Sequence, residues 1–351
     1  MQQADEKIPA VSTGKEPSTG GTRRLAADGI EIRRFRAPDD FELLASVYVA
    51  SREVDGLDRA RSADEFARSF GAFGIDPEEA GFIAEVDGSG IGYVVGQDDG
   101  EAEDLGERRY HMGLVVPAWR RKGVGAELLR RIQVRLLEVY PPHSGRASFT
   151  AALRETQPGA AALVERDGYR PVRYSFAMVR PNLYNIGPID LPSGISSRPV
   201  ERGEAPRIFA AMDEAMRDEW GWSPFTVAKI AAATEHPLFG QTEMWKVASD
   251  GAEPVGGVLG WIDEPENEQE GRRRGYTEGI WVRRPWRSRG IAGALINRNL
   301  HELKRRGMTE AGLSVDADNP SGALRLYEKH GFRRARTVTV YARPIEAPAG
   351  S

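Results

Sequence analysis

Two short stretches of the chain carry the residue types that hold an anion. Trp119-Arg-Arg-Lys-Gly-Val-Gly125 and Trp286-Arg-Ser-Arg-Gly-Ile-Ala292 each lie between an apolar run and a segment with helical period. Glycine at such a turn lets backbone approach a ligand closely, and the first N–H groups of a helix have no partner inside it. Together with the positive end of the helix dipole, this arrangement suits a phosphate. Arg120, Arg121, Lys122, Gly123, Val124 and Gly125 form the first turn; Arg287, Ser288, Arg289, Gly290, Ile291, Ala292 and Gly293 form the second. Neither is a Walker loop, because Lys-Ser/Thr is missing, and neither is a GxGxxG dinucleotide fingerprint. A tight strand-to-helix turn without a ligand is the alternative reading.

Composition limits what else can react. Cysteine is absent from the 351 residues, which excludes disulfides, thiolate nucleophiles and Cys-containing metal sites. The five histidines, His111, His143, His236, His301 and His330, show no ligand-like spacing such as HxxxH, so no metal is expected. Chemistry falls to carboxylates, hydroxyls, backbone groups or a bound cofactor. Forty-eight Lys+Arg against 52 Asp+Glu leave a net charge of −4, which argues against nucleic acid or an anionic membrane as the main partner. No apolar run approaches the roughly 18 residues of a membrane helix, and Met1 to Thr22 lacks the apolar core of a signal peptide. A cytoplasmic protein is expected, with residues 1–27 a disordered tail and 346–351 a short second tail.

The elements that must position the turns occur twice. Gly29-Ile30 answers Gly194-Ile195, Asp87-Gly88 answers Asp250-Gly251, Trp119 answers Trp286 and Gly168-Tyr169 answers Gly331-Phe332, all 163 to 167 residues apart and in the same order. A repeat at this spacing is a duplicated α/β domain of about 150 residues. Each copy reads as a strand, helical material, two or three strands with a tight hairpin, the glycine-rich turn, a long helix, a strand, a short helix and a closing strand. The long helices follow from apolar stripes at three- and four-residue steps, Val124, Leu128, Leu129, Ile132, Leu136 and Val139, then Ile291, Leu295, Ile296, Leu300 and Leu303. We place the domains at 28–180 and 194–345, with the Pro-, Gly- and Asn-rich stretch 181–193 as linker.

This order, with R-x-x-G-x-G/A and then Asn319-Pro320 through Ala323, Tyr327, Gly331 and Phe332, resembles the GNAT family of N-acetyltransferases, and does so in both copies. Its doubled form is similar to the tandem group that includes mycothiol synthase. The fold implied is α/β, two GNAT-like domains in tandem, each with a mixed, mostly antiparallel central sheet flanked by helices. The resemblance implies acetyl-CoA as cosubstrate, its pyrophosphate on the amides of Arg287 to Gly293. Its pantetheine would lie along Ile280, Trp281, Val282 and Arg283 as an added pseudo-strand, with Asn319 and Ala323 beside it. In the first copy Val115, Val116 and the turn from Arg120 to Gly125 correspond. Pro285 stands one residue later than Pro117, a shift expected to alter the strand's bulge and to spare the loop.

The resemblance also implies that Tyr327 protonates the CoA sulfur. Four residues before Gly168 the first copy has Val164, which cannot donate a proton, so residues 194–345 are expected to catalyse and 28–180 to be a degenerate partner. Glu278 is the expected base. Alternation along its strand would place Glu278, Ile280 and Val282 on one face, and counting back from Val115 gives His111 as its counterpart. An exposed strand carboxylate is the competing reading. Asp316 and Asp318 could also hold an amine. Acceptor groups in this family are met by the helices after the first strand, here Glu219, Trp220 and Trp222; an acidic helix end with Trp220 in the core is the alternative. Trp119 and Trp286 are expected to pack the turns, Glu264 to Glu270 to form a mobile hairpin loop, and His301 and His330 to lie on the surface.

The expected function is acetyl transfer to the primary amine of a small molecule, by a monomer or homodimer with no nucleic-acid or membrane partner. Protein or peptide N-acetylation and a catalytically silent CoA-binding sensor remain the alternatives.

Overall fold

The computed structural model describes residues 29–346 apart from 103, 144, 223, 320 and 321. The tail expected over residues 1–27, Pro320 of the Asn-Pro pair and nearly all of the closing tail lie outside the described residues.

The first half runs β1 (Glu31–Arg34), α1 (Asp40–Asp55), α2 (Ala63–Phe73), β2 (Gly81–Val86), β3 (Ser89–Ala102), β4 (Gly106–Val115), α3 (Val124–Val139), β5 (Ala147–Arg154), α4 (Pro158–Arg166) and β6 (Arg170–Arg180). The second runs β7 (Ile195–Arg198), α5 (Ala205–Met216), α6 (Val227–Glu235), β8 (Lys246–Asp250), β9 (Glu253–Ile262), α7 (Glu264–Glu270), β10 (Arg274–Val282), α8 (Ile291–Arg305), β11 (Glu310–Asp316), α9 (Ala323–Lys329) and β12 (Arg333–Pro344). Local chemistry accounts for these elements. Asp87 and Gly88 both take positive φ, as a two-residue hairpin turn requires. A Ser62–Glu65 capping box starts α2. The stripe of α8 is buried to 1% exposure or less at Ile291, Leu295, Ile296, Leu300 and Leu303, each side chain contributing roughly 1.5–3 kcal/mol.

The two sheets are not separate. All twelve strands form one sheet in the order β1-β2-β3-β4-β5-β12-β6-β11-β10-β9-β8-β7. The closing strands are exchanged: β12 pairs antiparallel with β5 of the first half, and β6 pairs antiparallel with β11 of the second. They then pair with each other at the centre. Among the described residues only β4–β5 and β10–β11 pair in parallel. One face of the sheet packs on α1, α2 and α5, the other on α3 and α8 with the short helices α4 and α9.

Two stretches are better ordered than their composition suggests. In the linker, Leu183 is buried in the core of the second half, and the Arg180 guanidinium donates to the carbonyls of Asn182, Tyr184 and His330. Residues Glu264 to Glu270 are a helix and not a mobile hairpin loop. Asp263 caps it through Glu266 N (3.0 Å) and pairs with the buried Arg59 of the first half (3.0 Å), while Gln269 and Ala60 exchange two hydrogen bonds. A short acidic segment folds here because a cap and a neighbouring surface take up its polar groups. Among the described residues no helix is long and apolar enough to cross a membrane.

Candidate functional site

The two glycine-rich turns have the same backbone. Arg121 and Ser288 adopt φ of 64° and 59°, Gly123 and Gly290 φ of 94° and 85°, and no side chain caps the helix that follows. The first N–H groups of α3 and α8 are therefore left to a ligand. Arg120 and Arg287 serve the turn itself. Their Nε atoms donate to Val115 O (2.8 Å) and Val282 O (3.0 Å), and their Nη2 atoms to Asp55 (2.7 Å) and to Ala215 O (2.7 Å). Their guanidinium groups are thus committed, and free charge in the turns comes from the exposed Arg121, Lys122 and Arg289. Arg283 is likewise engaged, by Glu214 (2.6 Å) and Glu253. Trp119 and Trp286 pack their turns: Lys122 lies 4.2 Å over Trp119, and Trp286 Nε1 donates to Asp250 (3.1 Å). His330 is half-buried, not a surface residue; a Cβ on Gly293 would meet its ring at 3.2 Å.

Above each turn the parallel strands part. Pairing of β4 with β5 runs from Glu107↔Ala147 to Tyr110↔Thr150, and that of β10 with β11 from Arg274↔Glu310 to Tyr276↔Gly312. Beyond these residues each pair opens a cleft leading to its turn, an unpaired strand edge of the kind that accepts an added strand. In the first half the cleft belongs to a cavity of about 660 Å³ that runs from Arg121, Gly123 and Gly125 past Val115 and Leu153 to His111 and Val164.

The two clefts differ at one bulge. At their ends β4 and β10 match, Val115 opposite Gly92 and Val282 opposite Gly256. Between Glu278 and Trp281 the register of β10 shifts, with Gly279 at φ 52°, whereas β4 keeps its register on β3 through Gly113. The shift puts one extra residue into β10 and releases Gly279 and Ile280 from the ladder with β9. Two expectations change with it. Glu278 faces Leu259, as Met112 faces Val95, so its counterpart is Met112 and not His111, which corresponds to Thr277. Glu278 also shares its face with Trp281, and Ile280 and Val282 turn to the α8 side. One inserted residue reverses the face of everything beyond it.

The second cleft gathers the candidate acid and base. Glu278 is half-buried beside Ser314 of β11; burial lifts its carboxyl to about 8, and hydrogen bonds from the Ser314 hydroxyl and amide work against that rise. Tyr327 on α9 is buried to 6% exposure. Its hydroxyl is pushed well above the usual tyrosine range by burial and by the charges of Glu278 and Glu219, so it holds its proton at neutral pH. Asn319 Nδ2 donates to Glu219 at 2.7 Å, and burial raises that carboxyl too. In the first cleft Val164 and Met112 replace Tyr327 and Glu278. His111 accepts or donates at 2.7 Å to Tyr169 Oη, to which Gln133 also donates. Burial holds the imidazole at about 4, hence neutral. The first cleft is also closed on its other side: Thr156 Oγ1 donates to Asp55 O (2.6 Å), and Arg154 to Gly56 O (2.8 Å) and Asp58 (2.5 Å).

Of the three expected acceptor residues, only Glu219 lies beside Tyr327. Trp220 is held between Arg108 and Arg173, 5.4 and 5.3 Å from its ring, and donates to Asp104 of the first half. Trp222 packs on Phe225 and the core under α5. Asp316 is engaged by Arg173 (2.7 Å) and accepts from the amide of the exposed Asp318. Two contributors escaped the sequence reading. Ser314 is a polar residue between the buried Leu313 and Val315. The bulge is marked by Tyr110-x-x-Gly113 answering Tyr276-x-x-Gly279, which sets the copies one residue closer together than the turns do.

The profile of the acetyltransferase (GNAT) family matches residues 206–332, and that of an acetyltransferase (GNAT) domain residues 77–171. The chain is similar to the mycothiol acetyltransferase of Salinispora tropica, 30% identical over 227 residues, or 63% of this chain and 68% of the relative. Among solved structures it is similar to the GCN5-related N-acetyltransferase of Sphaerobacter thermophilus (TM-score 0.70, 27% identity, 91% of this chain and 97% of that one). It also shares the fold of a tandem GNAT protein from the clavulanic acid biosynthesis pathway (TM-score 0.63, 14% identity, 92% and 100%).

Proposed function

This chain belongs to the GNAT family of N-acetyltransferases, and from that premise we propose that it moves an acetyl group from acetyl-CoA to the primary amine of a small molecule in the cleft of its second half. The observation that carries the proposal is the convergence of Tyr327, Glu278 and the bulge at Gly279 beside a turn of phosphate-binding geometry.

The residues present fit the cosubstrate. Uncapped N–H groups at Ile291, Ala292 and Gly293 take the pyrophosphate, with Arg289 adding charge; the edge of β10 at Ile280 to Arg283 takes the pantetheine amides. When bound, acetyl-CoA supplies a thioester activated for acyl transfer. Glu278 removes a proton from the acceptor ammonium, directly or through water, and the uncharged nitrogen forms the new C–N bond. The amides released at Gly279 and Ile280 stabilise charge on the carbonyl oxygen. As the C–S bond breaks, the Tyr327 hydroxyl gives its proton to the sulfur, and the second proton, lost by the acylated nitrogen, restores that hydroxyl. In the first half the turn at Arg121 to Gly125 and the 660 Å³ cavity suit the same cosubstrate, but Val164 and Met112 stand where Tyr327 and Glu278 act, and the buried His111 is taken up by Tyr169. The first half binds without transferring.

A thiol-release assay over small amines tests this, with Tyr327→Phe as the decisive variant. That variant should lose about 100-fold or more in kcat and keep its affinity for CoA by calorimetry. Unchanged turnover refutes the assignment of the acid, and absence of release with every amine refutes the transferase reading for this cleft.

A further inference from the structure

The middle of the sheet is open on the face that carries Glu278. Ser314 is exposed, and Ser175, Ala177, Arg336 and Val338 are partly so, although all belong to central strands. Their common face follows from their neighbours. Leu313, Val315, Phe176 and Met178 point into the core under α8, so Ser314 and Ala177, which alternate with them, point the other way. Register sets these residues in one row: Glu278 is bonded to Ser314, Ser314 is opposite Ala177, and Ala177 is opposite Arg336. Ala177 is the low floor between two walls. Ser314 and Arg336 are two strand spacings apart, roughly 10 Å.

The ends of this row differ in chemistry, carboxyl groups at one and an excess of guanidinium charge at the other. Glu278 and Glu219 stand at one end. At the other, Asp58 faces Arg154 (2.5 Å), Arg336 (3.3 Å) and, more distantly, Arg61, and among the described residues it is the carboxylate paired with both Arg154 and Arg336. One carboxylate cannot neutralise three guanidinium groups, and Arg336, 34% exposed, spends only Nη1 on it. An arginine with donors left over on the wall of an open groove is built to receive a carboxylate or a phosphate.

We propose that the acceptor is an amine bearing an anionic group, carboxylate or phosphate, roughly 10 to 15 Å from the reacting nitrogen, with the anion bound by Arg336 and the nitrogen at Glu278. This rests on the second cleft being the transferring site. It makes β12 and β6 part of the acceptor groove, so the exchange of closing strands shapes specificity as well as fold.

The test uses the full chain and saturating acetyl-CoA with three series of increasing length: ω-aminoalkanoates, ω-aminoalkyl phosphates and neutral ω-amino alcohols. One of the anionic series should show an optimum length at which kcat/KM exceeds that of the matched alcohol about tenfold or more, and the better series identifies the anion. Arg336→Met should collapse that ratio about tenfold, through KM and not kcat, and Arg336→Lys should restore part of it. Equal kcat/KM for alcohols and anions at every length overturns the inference while leaving the transferase reading intact. This comparison uses the unmodified protein and stands even if the methionine variant does not fold. A ratio untouched in a folded Arg336→Met protein also overturns it. If no amine in any series is acetylated, the transferase reading fails, and this inference with it.

Discussion

The two halves of the sheet present the same turn, the same splayed strands and the same facing helix, yet one cleft holds a tyrosine and a carboxylate where the other holds Val164 and Met112. What they share is backbone: positive φ at Arg121 and Ser288, uncapped helix starts, and parallel strands that stop pairing after three or four residues. What separates them is two side chains and one inserted residue. Binding geometry built from amides survives side-chain replacement, because every residue brings the same N–H and C=O groups. Proton transfer does not survive it, because each role needs one functional group at one place. The first half also ties Thr156 and Arg154 to the end of α1, where the second half has the Asn319–Glu219 hydrogen bond.

The largest effect expected is on the idea that the halves are separable. Because β12 sits between β5 and β6, residues 194–351 produced alone should fail to fold as judged by circular dichroism and amide dispersion, and co-production with residues 1–193 should restore a soluble, active pair. A folded and active isolated half would show that the exchange is dispensable. Next is Glu278→Gln, which should lower kcat about 100-fold. In the unmodified protein kcat/KM should rise with pH and level off above about 8, since the carboxyl acts only after losing its proton; the substitution should remove that limb. The same raised carboxyl makes the folded chain hold a proton that the unfolded chain gives up. Stability due to Glu278 should therefore fall as pH rises from the ordinary carboxyl range to about 8, and Glu278→Gln should flatten that part of a denaturation-versus-pH profile.

A smaller effect tests the bulge. Gly279→Ala places a Cβ at positive φ and 3.1 Å from Leu259, costing about 1 kcal/mol or more and shifting the amides beside the reacting carbonyl, so kcat should fall about tenfold. The corresponding Gly113→Ala should cost stability without that kinetic loss, and equal loss of kcat from both would mean that the clefts do not differ as described. The smallest is Thr156→Val, which removes the bond to Asp55 O. It should cost about 1 kcal/mol in chemical denaturation and speed CoA release from the first cavity. An unaltered release rate would show that this contact does not guard it.

Much of this was legible in the amino-acid order. The repeat, the helices with their apolar stripes, the hairpin at Asp87-Gly88, both glycine-rich turns and the Tyr327/Val164 contrast all depend on residues near one another in sequence, where period, turn chemistry and spacing act directly. Glu278 was visible as a carboxylate on the right strand, but its counterpart and its face were misjudged, since alternation holds only while no residue is inserted. Trp220 looked like a wall of the acceptor site and instead binds the halves together between two arginines.

What only the tertiary structure decided is which backbone edges meet. A strand ladder uses N–H and C=O groups that every residue carries, so nothing in the local sequence of β6 or β12 says whether its partner lies in its own half or the other. That choice joined two sheets into one and ordered the linker. It also brought Ser314, Ala177 and Arg336, far apart along the chain, into a single row across the open face.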